Sequence, residues 1–383
     1  MALKIARRGE VPPFIVMDVM RAANARAATG ADVLHLEVGQ PSTPAPAGVI
    51  AAAHRALDGG NLGYTEALGI VPLRERIAAH YRETQGIAVD PGRIAVTVGS
   101  SGAFLLAFLA GFEPGDRIGF AAPSYPAYRN ILHALDLVPV ELPSGPAERY
   151  QISAGLLRNC PVPLDGLIIA SPANPTGTML TPEELRGIAD YCREAGIRLV
   201  SDEIYHGIVY GGAAARTALA FSDEAIIVNS FSKYFSMTGW RLGWMVAPPD
   251  LLRPVECLAQ NLFISAPALS QEAAIAAFDC GEELARNLAG YAENRALLLS
   301  ELPKAGFDRL APADGAFYLY ADIAHLTNDS AEFCRRMLRE TGVAATPGID
   351  FDPARGHATM RFSFAGATAT MAEAARRLGN WRR

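Results

Sequence analysis

Lysine is almost missing from this sequence. Among 383 residues and 34 basic side chains, only Lys4, Lys233 and Lys304 are lysines, against 31 arginines. Any amine chemistry therefore has three places to happen. Cysteine is nearly as sparse: Cys160, Cys192, Cys257, Cys280 and Cys334 are odd in number, scattered, and form no Cys-x-x-Cys pair. A disulfide scaffold is excluded, and because the seven histidines form no metal-like pair either, no metal site is expected. Reduced thiols fit the cytoplasm. No apolar run reaches the roughly 18 residues that a membrane span needs, and residues Met1 to Pro13 are polar and broken by Pro12 and Pro13. Long basic runs are absent and the net charge is −6, so the electrostatic footprint of a nucleic-acid binder is missing. The expectation is a cytoplasmic protein that engages neither membrane nor nucleic acid.

What the sequence does have is core-forming material. Half of the residues are hydrophobic, and the length suggests two or three folding units. Between about 93 and 247, short aliphatic runs alternate with helical patterns, which signals a mostly parallel sheet covered by helices. The expected strands are Arg93 to Val98, Arg117 to Phe120, Leu137 to Leu142, Leu167 to Ala170, Arg198 to Ser201, Ala225 to Asn229 and Gly243 to Ala247. Thr181-Pro182-Glu183-Glu184 offers a cap, a first-turn proline and a capping-box glutamate, and Gly196 a stop, so a helix joins two of these strands. Beyond about 268 the texture changes. Helical segments over Glu272 to Leu299, Ser330 to Thr341 and from Thr368 onward enclose short strands near Gly315 to Ala321 and Thr359 to Phe364. This predicts a smaller second α/β unit, with the first 35 or so residues packed on it or on a neighbour.

In open parallel sheets a ligand sits beyond the carboxyl ends of the strands. There the sequence places Gly99-Ser100-Ser101-Gly102, then Asn174-Pro175-Thr176-Gly177, then Asp202, Glu203 and Tyr205, then Ser230, Ser232 and Lys233. The first of these turns aims backbone N–H groups and hydroxyls at an anion on a helix N-terminus. Each segment alone is commonly just a turn or a loop. Their joint order carries the signal.

Asn174-Pro175-Thr176-Gly177, Asp202-Glu203-Ile204-Tyr205, Ser230-Phe231-Ser232-Lys233, Gly239-Trp240-Arg241-Leu242-Gly243 and Arg361-Phe362-Ser363-Phe364 resemble, in order and approximate spacing, the class I and II aminotransferases that use pyridoxal 5′-phosphate (PLP). The resemblance is to the fold type I, aspartate aminotransferase-like group and runs from about Gly39 to Arg361. It implies an α/β fold, with a large PLP-binding domain around a mostly parallel seven-stranded sheet and a smaller α/β domain. The expected division is an N-terminal segment 1–38, a large domain 39–275 and a small domain 276–383.

The resemblance also implies roles. Lys233 matches the lysine that attaches the cofactor and shuttles the substrate Cα proton, and Asp202 the carboxylate that keeps the pyridine nitrogen protonated. Tyr205 and Asn174 match donors to the ring's phenolic oxygen, and Tyr125 the aromatic stacked on the ring. Ser100, Ser101, Ser230 and Arg241 match the phosphate cup, and Tyr64 a tyrosine that reaches the phosphate from the partner subunit, which makes the enzyme a homodimer with shared sites. Arg361, with Asn174 and the backbone of Gly39, matches the clamp on the substrate α-carboxylate.

Ser100-Ser101-Gly102 stands where some aspartate-using members carry a lysine, which weakens aspartate as substrate. Arg21, Arg26 and Arg253 stay open as a second substrate cation. The activity implied is a ping-pong exchange of an α-amino group between an L-amino acid and a 2-oxo acid. Two alternatives remain: a PLP-dependent C–S β-lyase or cyclopropane-forming synthase on the same scaffold, and a non-catalytic ligand-sensing module.

Overall fold

The structure, a computed structural model, describes residues 3–212 and 214–382. Helix α1 (Ile15–Ala27), the two-residue strand β1 (Leu34–His35) and helices α2 (Ala47–Gly59) and α3 (Val71–Gln85) lead into the main sheet. The sheet is built from β2 (Ile94–Thr97), β3 (Arg117–Ala122), β4 (Val138–Pro143), β5 (Gly166–Ala170), β6 (Arg198–Asp202), β7 (Ile226–Ser230) and β8 (Gly243–Val246). Between them run α4 (Gly99–Gly111), α5 (Pro126–Ala134), α6 (Ala154–Arg158) and α7 (Pro182–Ala195). The strand order is β2-β8-β7-β6-β5-β3-β4, and β8 alone runs antiparallel to its neighbours. All seven expected strands form, each within a residue or two of its expected limits.

Those strands read as near-continuous apolar runs because both faces of the sheet are covered. Successive residues feed opposite cores: Leu167, Ile169, Leu199, Ile227 and Trp244 pack on one side. Ile168, Val200, Ile226, Val228 and Met245 pack on the other. Helix α4 is apolar almost all round and lies against the second of these cores, as a buried helix must. Helix α7 opens with the expected reciprocal cap: Thr181 Oγ accepts from the Glu184 N–H at 3.2 Å, and the Thr181 N–H donates to Glu184 Oε2 at 2.7 Å.

Helices α8 (Leu252–Leu262), α9 (Ala268–Ile275) and α10 (Gly281–Glu301) lead to a second sheet. It contains β9 (Arg309–Leu310), β10 (Tyr318–Asp322), β12 (Thr346–Pro347) and β13 (Thr359–Ser363), ordered β12-β13-β10-β9 and antiparallel throughout. Helices α11 (Ser330–Thr341) and α12 (Thr368–Gly379) cover it, and β11 (Val343–Ala344) pairs with β1, so the N-terminal segment joins this second core. The single helix expected over Glu272 to Leu299 is two helices. A 3₁₀ turn, Ala276–Asp279, separates α9 from α10 and drives Phe278 against Phe231, Phe235 and Trp244.

Candidate active site

The carboxyl ends of the parallel strands meet the second sheet around a cavity of about 160 Å³. Lys233 follows β7 and reaches into it. Its amine donates to the Gly39 carbonyl at 2.6 Å, and burial lowers its pKa to about 8, with Arg361 and Arg241 adding to the drop and Asp202 opposing it. Asp202 ends β6 and is moved the other way. Burial raises it to about 6 even though the Ile204 N–H (3.1 Å) and the Tyr128 hydroxyl both donate to it and Lys233 lies near.

Arg361, on β13, is 2 % exposed. It donates to Asn174 Oδ1 at 2.7 Å, to the Glu37 carbonyl and to Thr346 Oγ1, and its guanidinium lies between the rings of Tyr318 (4.3 Å) and Phe351 (4.7 Å). Its Nε has no partner. Such a fork, dry on two sides and under-satisfied, suits a planar carboxylate. Gly39 faces it for a steric reason: a Cβ there would lie 1.7 Å from Tyr318 Oη. Tyr205 hydrogen-bonds Tyr318 hydroxyl to hydroxyl at 2.7 Å, and burial pushes both phenols upward. Tyr125 lines the cavity, edge-on to Phe14 and Tyr128, with its phenol pushed up to about 12.

On the far side, Ser100 and Ser101 line the cavity from the first turn of α4, beside Arg241. Gly99 turns through φ +66°, and a Cβ there would meet Arg241 Nη2 at 2.7 Å, so the bare backbone lets the helix terminus and the guanidinium converge. An anion would find fixed charge and unsatisfied N–H groups together.

Two expected residues stand apart from the cavity. Ser230 turns its hydroxyl into its own loop, donating to the Leu242 carbonyl (3.0 Å) and sharing a hydrogen bond with the Ser232 hydroxyl (2.8 Å); Ser232 lines the cavity instead. Tyr64 is 86 % exposed and away from this chain's cavity. Sequence reasoning missed Tyr128, Tyr318, the α1 cap residue Phe14 and the α1 residues Val16 and Met17, all of which line the cavity. Only Tyr128 left a local signal: it lies one helical turn beyond Tyr125 at the start of α5.

Residues 31–378 match the family "Aminotransferase class I and II". The chain belongs to that family, and its fold is the fold type I arrangement. It is an aminotransferase, moving an amino group between an amino acid and a 2-oxo acid. A valine–pyruvate aminotransferase of Mycobacterium tuberculosis is 53% identical over 382 residues, covering 99% of this chain and 98% of that protein. A solved aminotransferase from Mycobacterium tuberculosis superimposes with a TM-score of 0.98 at 53% identity, covering 99% of each chain. The aspartate aminotransferase of Thermus thermophilus, solved with maleate, gives 0.93 at 30% identity, covering 99% of this chain and 100% of that one. With relatives named as transaminases, lyase, synthase and sensor readings are not favoured.

Proposed function

We propose that the protein is a PLP-dependent aminotransferase that exchanges the amino group between an aliphatic L-amino acid and pyruvate or another short 2-oxo acid, as a cytoplasmic homodimer. One observation carries the substrate reading. Phe14, Val16 and Met17 form an apolar wall, and among the described residues lining the cavity only Lys233, Arg241 and Arg361 are cationic. A dicarboxylate needs a further cation; a branched aliphatic side chain needs only dry apolar surface. Neither Arg21, Arg26 nor Arg253 lines the cavity, and Arg21 and Arg253 pair with Asp18 and Glu256 at the surface. The name of the Mycobacterium tuberculosis relative supports the same reading.

The donor set fits PLP. A buried amine whose pKa has fallen to about 8 is available as a nucleophile near neutrality, and a buried carboxylate stands ready for a ring cation. The Gly99 cradle, which a Cβ would fill, leaves the α4 terminus and Arg241 open to a phosphate. When bound, PLP supplies an aldehyde that joins amines and a ring that takes up the electron pair left at Cα. Lys233 Nζ would take up the proton from the substrate Cα, becoming an ammonium, and give it back from the same side as the transfer completes. Asp202 would hold its negative charge against the ring nitrogen, Tyr205 and Asn174 would donate to the phenolic oxygen, and Tyr125 would cover the ring. Arg361 and Gly39 hold the α-carboxylate, fixing the Cα–H bond. Ser100, Ser101 and Arg241 would share the phosphate, with Tyr64 of a second subunit completing the cup. The division into 1–38, 39–275 and 276–383 belongs to the same proposal, supported by the separate cores of the two sheets.

The test is a donor and acceptor panel on the purified holoenzyme. Valine and alanine with pyruvate should exceed aspartate and glutamate in kcat/KM by about a hundredfold or more. A preference for aspartate would refute the substrate reading. Steady ammonia release without any 2-oxo acid would refute transfer as the main activity.

A further inference from the structure

Helix α1 carries the apolar wall, yet it starts without a cap of its own. Phe14 occupies the N-cap position and its side chain caps nothing, so the first N–H groups need partners from elsewhere. They find them more than 330 positions along the chain. The N–H groups of Ile15 and Val16 donate to the two different oxygens of Asp350, each at 3.1 Å.

Asp350 is 2 % exposed and ends the 3₁₀ turn Gly348–Asp350 that follows β12. Arg129 of α5 donates to its carbonyl at 3.3 Å. The segment around it also serves the carboxylate clamp: Thr346 lies opposite Arg361 in the β12–β13 pairing, and Phe351 stacks on the Arg361 guanidinium. One short segment therefore touches Arg361 and pins the opposing wall. A substrate held at its α-carboxylate by Arg361 meets Phe14, Val16 and Met17 only as far as its side chain reaches. The separation of clamp and wall acts as a ruler.

We propose that Asp350 is the positioning residue for side-chain selection: by capping α1 from the second sheet it sets the distance between the apolar wall and Arg361. This rests on the aliphatic-substrate reading above. Loss of the cap lets the wall retreat, which costs valine its contacts and leaves the short methyl of alanine almost indifferent.

The experiment compares full-length holoenzyme with Asp350→Ala, Asp350→Asn and Asp350→Glu. In Asp350→Ala the valine-to-alanine ratio of kcat/KM should fall about tenfold, carried by KM rather than kcat. Asn retains one acceptor oxygen and should keep most of the ratio. Should the Ala variant fail to fold, Glu, which displaces the carboxylate by one methylene, should lower the ratio in the same sense. Hydrogen exchange should quicken at the amides of Ile15 and Val16 wherever the ratio falls. Equal losses on valine and alanine, or an unchanged ratio despite faster exchange, would overturn the positioning role. A wild-type enzyme that prefers aspartate would instead overturn the substrate reading, so the two failures are distinguishable.

Discussion

Burial favours the neutral form of both Asp202 and Lys233, and so moves their pKa values in opposite directions. The Asp202 carboxyl is raised to about 6 by burial, against Tyr128, the Ile204 N–H and Lys233. A group whose folded pKa is raised contributes stability at low pH and loses it as pH rises through that pKa. The cofactor-free protein therefore loses Asp202's contribution between about pH 4 and 6 and bears a costly buried anion above that. Asp202→Asn should raise the melting temperature of the cofactor-free protein at pH 7 to 8, with the gain shrinking toward pH 4. It should also lower turnover of the loaded enzyme on the order of 10²-fold or more, because no anion then faces the ring nitrogen. Melting scans across pH and a single-turnover assay check both halves; a variant less stable at pH 7 with near-normal turnover would contradict them. Of the remaining lysines, Lys4 is exposed and Lys304 pairs with Glu301 at the surface, so the lysine shortage leaves one amine that lines the cavity. That much was readable in the sequence, since each such residue follows a recognisable strand. Tyr318 was not, because its approach to Arg361 depends on the β10–β13 pairing, which joins residues some forty positions apart.

Among the elements, the strands of the main sheet were the most legible. Burial on both faces forces unbroken aliphatic runs, and such runs stand out in any sequence. The break between α9 and α10 was hidden, because Ala276 to Asp279 contains neither proline nor glycine, and only the tertiary pull of the Phe231, Phe235 and Trp244 cluster on Phe278 interrupts the helix. The wall on α1 was hidden for the same kind of reason: its cap lies in another sheet. At α4 the Gly-Ser turn marked the helix start, and the structure adds what the glycine is for. Gly99→Ala places a Cβ against Arg241 and asks an alanine for φ +66°. It should weaken PLP binding to the cofactor-free protein by about tenfold while sparing pyridoxal, which lacks the phosphate. Equilibrium titration with both vitamers measures this, and a parallel loss for the two would mean that the cup is not where phosphate binds.

At the scale of the whole molecule, helix α10 ties the two cores together: Leu284 near its start packs with the main sheet, and Tyr291 and Leu298 pack with the second. The cavity lies where the two sheets meet, so its shape depends on how they are held. In the proposed homodimer, one part of the site would come from outside the chain. Tyr64 is 86 % exposed, and Leu57 and Leu62 nearby in sequence are exposed as well, which is apolar surface that a second copy would cover. A shared site makes a prediction that a self-contained one does not. Lys233→Ala would remove the proposed attachment amine and Tyr64→Ala would weaken the proposed phosphate cup, so each homodimer should be poorly active at limiting PLP. Unfolding and refolding an equimolar mixture gives heterodimers in which one site is doubly altered and the other pairs the intact Lys233 of one chain with the intact Tyr64 of the other. Random pairing makes half the dimers mixed, so activity at limiting PLP should recover to about a quarter of wild type. If Tyr64 served its own chain's site, every site in the mixed dimer would carry one alteration and the mixture would recover nothing.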